Sequence, residues 1–235
     1  MQELIKNIEG TLGIRITEDN LRNTISVYNK TRSLMAKVNE LRKNDPPPIS
    51  GAEYLNIVLS GMSIPKEIFN EHLEAALPEF KKRSIYNKKL PRLLVVGGSC
   101  DLPAFIDFIE SKGAYVVADG MCFGLRHYMG IIDDKISDPI EAIAERYLKR
   151  LPCPSIIDGF DYEYILLKEI IEKMNVNGII SSRLKFCDHF SGERKMIADQ
   201  LRLEKGIPVL EIEREYNTAR SGQISTRIQA FLELL

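Results

Sequence analysis

From Thr17, a suitable N-cap, apolar residues Leu21, Ile25, Tyr28, Met35, Val38 and Leu41 recur at three- and four-residue intervals. The spacing predicts a long helix ending near Asn44, with one stripe packed inward. Pro46-Pro47-Pro48 stops it, because proline cannot continue a helix and pushes the residue before it to extended geometry. Ser50 and Glu53 stand at capping-box spacing for a second helix toward Ser60. Pro65, a favoured first-turn residue, opens a third that runs to Lys82. The first 85 residues thus read as all-helical. Their charged positions read as solvated faces that carry no chemistry.

After Asn87-Lys88-Lys89 the period changes. Leu93-Leu94-Val95-Val96 is a continuous apolar run closed by Gly97-Gly98, and Ala114-Tyr115-Val116-Val117-Ala118 is a second. Strands are expected near residues 92–97, 114–118, 177–181 and 207–213. Helices are expected over Pro103–Ser111, Pro139–Arg150, Tyr162–Met174, Glu193–Glu204 and Gln223–Leu235. Short apolar runs alternating with helices of about ten residues or more predict a parallel sheet buried on both faces. Right-handed crossovers make it doubly wound. The fold class expected is therefore α/β: a Rossmann-like, parallel four-stranded sheet over residues 89–235, preceded by an all-helical segment over residues 1–88.

Composition narrows the function classes. A net charge of −1 offers no global field for nucleic acid or for an anionic membrane surface. The longest apolar runs are strand-length, far from the roughly 20 residues of a membrane helix. The amino terminus lacks the basic-then-apolar pattern of a secretory signal. The expectation is a cytoplasmic protein with neither nucleic acid nor membrane as partner.

In a reducing compartment the four cysteines, Cys100, Cys122, Cys153 and Cys187, do not form a disulfide framework, and no CxxC pair exists. Inert burial is the commoner fate of such thiols. Their placement argues for more. In an open parallel sheet every carboxyl end lies on one edge, where ligands bind. Cys100 follows the first strand, Cys122 the second and Cys187 the third, so three distant thiols reach one edge and are expected on a shared crevice, partly exposed. Thiolates suit iron–sulfur clusters, zinc or copper(I), and with only His127 and His189 nearby a cysteine-only iron site is easier to build than a Cys/His zinc site. Gly97-Gly98-Ser99-Cys100 lacks the third glycine of a dinucleotide fingerprint and the lysine of a P-loop. Cys153, between two prolines, is read as structural.

The fourth strand leads to Ser221-Gly222-Gln223, which opens the last helix. Free N–H groups and the positive end of the dipole make that turn a natural anion site, with Thr226 and Arg227 close by. Ser221 as a plain N-cap explains the same residues.

Several motifs taken together resemble one family. They are Asp119-Gly120-Met121-Cys122-Phe123-Gly124-Leu125-Arg126; Asp138-Pro139 with Ala144-Glu145-Arg146-Tyr147; Pro152-Cys153-Pro154; Lys185-Phe186-Cys187-Asp188; and Glu213-x-x-Tyr216 followed by Ser221-Gly222-Gln223-x-x-Thr226-Arg227. Tyr28-Asn29-x-x-Arg32 and Pro47-Pro48-Ile49-Ser50-Gly51 extend the resemblance over nearly the whole chain. The sequence is similar to subunits of the 2-hydroxyacyl-CoA dehydratases, a family that also contains benzoyl-CoA reductase subunits and double-cubane cluster proteins.

The resemblance implies a [4Fe–4S] cluster held by three cysteines, with one iron open to a substrate oxygen or water. It implies an acyl-CoA substrate and an ATP-dependent iron–sulfur activator that supplies one low-potential electron. In the dehydratases that electron makes a ketyl radical of the thioester carbonyl, so that the hydroxyl leaves. Cys187 is the first choice as ligand, Cys122 the second and Cys100 the third; Ser221, Gly222, Gln223 and Arg227 are the substrate-binding candidates, and no catalytic residue is assigned. Family subunits begin with a further α/β domain that contributes cluster cysteines. No strand or cysteine precedes Leu93 here, so the expected partner is that domain or a paralogous second subunit. A non-catalytic iron–sulfur or scaffold role is the alternative.

Overall fold

The structure is a computed structural model that describes residues 1–85, 88–149, 159–187, 192–216 and 222–235. Cys153, His189 and Ser221 lie outside the described residues. Four helices come first: α1 (Gln2–Leu12), α2 (Glu18–Leu41), α3 (Gly51–Ser63) and α4 (Lys66–Lys82). Strands and helices then alternate as β1 (Arg92–Gly97), α5 (Pro103–Glu110), β2 (Tyr115–Asp119), α6 (Leu125–Tyr128), α7 (Pro139–Lys149), α8 (Phe160–Lys173), β3 (Gly178–Leu184), α9 (Gly192–Lys205), β4 (Val209–Arg214) and α10 (Gly222–Leu232).

The local signals act as their chemistry requires. The Thr17 side chain accepts the Asn20 N–H at the start of α2. Ser50 and Glu53 close a full capping box on α3, each side chain accepting a backbone N–H of the other residue. The Glu110 carboxylate, at the end of α5, reinforces that helix start by accepting N–H groups of Gly51 and Ala52 at 2.8 and 3.2 Å, and also the Val116 N–H. Gly51 is required there by proximity, since a Cβ would stand 2.7 Å from the Val116 carbonyl oxygen.

All four strands are parallel, in the order β2-β1-β3-β4. Alternate strand residues face opposite cores. Leu93, Val95, Val116, Ile180 and Ile212 meet α3, α5 and α10, while Leu94, Val96, Val117 and Ile179 meet α8 and α9. The sheet is therefore doubly wound, and the order reverses between β1 and β3, the position at which such folds open a crevice. At that junction Gly97 lets the strands close, because a Cβ would lie 2.0 Å from the Ser182 carbonyl oxygen.

Element bounds differ from the sequence expectation by a few residues. Strand β3 runs on to Leu184 because its register with β4 continues to Arg214. The four-residue helix α6 is an addition to the expected elements; it is too short to show a period.

The two sheet edges are finished differently. On β2, Arg42 donates to the Val116 carbonyl at 3.3 Å. On β4, Arg202 donates to the Val209 carbonyl and Arg227 to the Glu211 carbonyl, each at 2.7 Å. Among the described residues, no helix is long and apolar enough to cross a membrane.

Candidate functional site

Parallel pairing puts the segments after β1, β2, β3 and β4 on one edge, and three cysteines follow three of those strands. None of Cys100, Cys122 and Cys187 is tied up in a disulfide. Their environments differ.

Cys122 sits on a loop fixed from beneath. The Asp119 carboxylate, at the carboxyl end of β2, accepts the Leu125 N–H at 2.7 Å and a guanidinium N–H of Arg42 at 2.9 Å. Both side chains of this ion pair are almost fully buried. Gly124 is forced by the same carboxylate, for a Cβ there would fall 1.8 Å from Asp119 Oδ1. Met121 enters the core and leaves Cys122 half-buried. The helical segment, read from the sequence as carrying solvated faces alone, thus supplies the cation that holds this loop. An arginine just before a proline run gives no sign of a partner 77 residues on.

Cys187 lies in a turn after β3, where its N–H bonds the Leu184 carbonyl. Phe186 beside it has φ 61° and is 99% exposed. A left-handed backbone at a bulky residue is uncommon and clusters at functional sites. A large aromatic side chain held in water has no stabilising role in this chain by itself.

Cys100 does not match the expectation of a partly exposed thiol. It is 4% exposed and belongs to the core that contains Phe105 and Ile224. Burial pushes its thiol pKa up, against a hydrogen bond from the Leu102 N–H and the nearby Arg214 charge. A thiol in that setting resists the ionisation that a metal ligand needs.

Arg214, at the end of β4, is a site residue that sequence reasoning misses. It is 3% exposed, donates to Ser182 Oγ and to the Ser99 carbonyl, and lies over the Phe105 ring. It ties β3 and the loop after β1 to β4, and its Nη1 has no hydrogen-bond partner. Its place in an alternating strand is the available signal, since a charged residue there points into the core side of the edge. Tyr216 adds a second tie by donating to Asp101.

At the other end of the candidate set, Gly222 and Gln223 begin α10 and are exposed. Arg227 is committed to the Glu211 carbonyl on the outer side of β4. Thr226 bonds back to the Gly222 carbonyl at 3.1 Å, an intrahelical contact.

The thiols are the right donors for iron and sulfide, but they do not form a set by themselves. Among the described residues, no three Cys, His, Asp or Glu side chains come close enough to hold one metal ion. An iron–sulfur cluster of the kind carried by enzymes with these motifs does not fit this chain's described residues alone.

Comparison with known proteins accounts for the motifs. The family described as 2-hydroxyglutaryl-CoA dehydratase, D-component, matches residues 1–235. "Putative dehydratase subunit YjiM" of Escherichia coli (strain K12) is 29% identical over 243 residues, covering 100% of this chain and 62% of that protein. A benzoyl-CoA reductase subunit of Thauera aromatica is 26% identical, over 99% of this chain and 61% of its own length. The (R)-phenyllactyl-CoA dehydratase beta subunit of Clostridium sporogenes is 23% identical, over 98% and 61%. The chain spans about three-fifths of the length of the curated relatives it matches. With the parallel sheet and the cysteine-bearing loops in the expected order, this chain belongs to the 2-hydroxyglutaryl-CoA dehydratase D-component family.

Proposed function

We propose that this chain is the part of an acyl-CoA dehydratase or reductase subunit that brings Cys187, and as a second candidate Cys122, to an iron–sulfur cluster completed by another domain or subunit. Cys100, buried, is the third candidate. The assembled cytoplasmic enzyme performs one-electron chemistry on an acyl-CoA thioester, fed by an ATP-dependent iron–sulfur activator. Ser221, Gly222 and Gln223 are the proposed contacts to substrate at the same edge; Arg227, the fourth candidate, bonds the Glu211 carbonyl on the outer side of β4 and would have to leave it to reach substrate.

The observation that carries this reading is the Cys187 turn. A strained, fully exposed Phe186 at the carboxyl edge of a parallel sheet is what a surface awaiting a covering domain presents. Burial of Arg214 and of the Arg42–Asp119 pair supports it, because both hold that edge in shape before any partner arrives. No step of the reaction is assigned to a residue here, since the described residues do not assemble the metal site.

The test is anaerobic reconstitution of this chain with iron and sulfide, alone and mixed with a full-length family subunit, read by metal content and electron-spin resonance. Iron retained by the wild type and lost in Cys187→Ser is the expected result. Absence of iron in both settings would leave the scaffold role, in which the edge only docks a partner.

A further inference from the structure

Two motifs that carry the family resemblance, Tyr28-Asn29-x-x-Arg32 and Ala144-Glu145-Arg146-Tyr147, lie far apart in the chain and hold none of the candidate cysteines. The fold brings them to one pocket of about 100 Å³ bounded by α2, α4, α6 and α7. Tyr28 and Arg32 come from α2, Lys66 from the start of α4, His127 from α6, and Arg146 and Tyr147 from α7. Among the described residues that line it, none is an Asp or a Glu.

Lys66 is the centre of this charge. It is half-buried, its ammonium donates to the Gly61 carbonyl, and it stands 5.4 Å from the centre of the Tyr28 ring. Arg32 lies over the same ring at 5.7 Å, so two cations share one aromatic side chain. Burial and the Arg32 charge both push the Lys66 ammonium below its usual 10.5, and no carboxylate among the described residues offsets them. Like charges held this close disfavour each other, and an aromatic face compensates only in part.

Arg146 is set from the other wall. It is buried, donates through Nε to the Gly130 carbonyl at 3.0 Å and through Nη2 to the Met129 carbonyl at 2.8 Å, and lies 5.1 Å from the centre of the Tyr147 ring. Arg32 donates to the side-chain oxygen of Asn29 at 3.0 Å. These neutral acceptors direct both guanidiniums without cancelling their charge. Tyr28 and Tyr147 are exposed and form the mouth.

Cations that converge from three helices suit an anion able to accept hydrogen bonds in several directions. A phosphate group does so, with up to two negative charges and three acceptor oxygens, whereas a carboxylate is planar. The pocket is smaller than a cavity of about 150 Å³ that takes benzene, so it has room for the phosphate but not for a body attached to it. Arg32 and Tyr128 also line a neighbouring cleft of about 340 Å³, where such a body fits.

We propose that the pocket between α2, α4 and α7 binds a phosphate group, held by Lys66, Arg32 and Arg146. The group is free phosphate or the phosphate end of a larger molecule that lies in the neighbouring cleft. The site uses no iron and no cysteine, so it stands or falls apart from the cluster reading.

The experiment titrates the full chain with inorganic phosphate, phenyl phosphate and acetate at equal ionic strength, read by calorimetry and, for the phosphates, by phosphorus NMR. Two variants divide the outcomes. Lys66→Met keeps the side-chain length and removes the ammonium. Tyr28→Glu, at an exposed helix position, sets a carboxylate beside Lys66 and Arg32 in the ligand's place. Circular dichroism confirms that each variant is folded.

Expected are saturable binding of phosphate, much weaker binding of acetate, affinity for phosphate roughly tenfold or more lower in Lys66→Met, and loss of phosphate binding in Tyr28→Glu. Phenyl phosphate binding more tightly than inorganic phosphate identifies a larger phosphate-bearing ligand; equal or weaker binding identifies free phosphate. Three results would overturn the proposal. One is no saturable binding of either phosphate. Another is acetate binding as tightly as phosphate. The last is phosphate affinity unchanged in folded Tyr28→Glu, a result that stands even where Lys66→Met does not fold.

Discussion

Asp119 carries three tasks on one carboxylate: it neutralises Arg42, caps the turn at Leu125 and leaves room only for glycine at 124. Removing it strands a buried guanidinium, and breaking a buried pair from one side costs about 3–5 kcal/mol. Asp119→Ala should therefore lower stability by about that amount in urea denaturation and speed alkylation of Cys122 in the still-folded protein; unchanged midpoints would refute the anchoring role. Glu110 behaves in a different sense. Burial raises its carboxyl above the ordinary 4.5, outweighing three backbone N–H groups that pull the other way. Stability contributed by its protonated form is full below the unfolded value and declines as pH rises through the raised folded value. The stability of the wild type relative to Glu110→Gln should accordingly fall as pH climbs from 4.5 through that window; a flat or rising difference would contradict it. The cysteines are legible from the sequence because they follow strand-like runs. Arg42 and Arg214 are not, because their partners are brought near only by the fold.

At the level of elements, α3 is the joint between the helical segment and the sheet. Its start is held by its own capping box and by Glu110 from α5, while Gly51 touches β2. Ser50→Ala should cost about 1 kcal/mol, the usual loss for an N-cap. Gly51→Ala should cost distinctly more, because the Cβ meets backbone rather than a movable side chain. Thermal melts of the two variants give the order, and a milder effect for Gly51→Ala would count against the close approach. The capping box, the proline stop and three of the strand starts can be read directly, since each depends on neighbours within a few residues. The length of β3 cannot, because its last residues are strand only through pairing with β4. Nor can the burial of Cys100, which depends on α5 and α10 closing over it.

For the whole molecule, alternation of apolar runs and helices makes the parallel class legible, but not the order β2-β1-β3-β4. That order decides which strands are left at the rims. Strand β2 has α3 against it and Arg42 on its Val116 carbonyl, whereas β4 ends the sheet with its backbone facing outward. There, Arg202 and Arg227 sit on two successive outward carbonyls, those of Val209 and Glu211. An unpaired rim of this kind is a template on which a second copy could add a strand and begin a polymer. The arginines occupy the acceptors such an incoming strand would use and place charge in its path. Arg227→Ala with Arg202→Ala should leave secondary structure intact yet raise light scattering and thioflavin binding in concentrated samples at moderate warmth. Unchanged colloidal behaviour would show that the rim is protected by something else. On this geometry, Arg227 keeps the protein from growing into itself, whatever else meets the edge of the sheet.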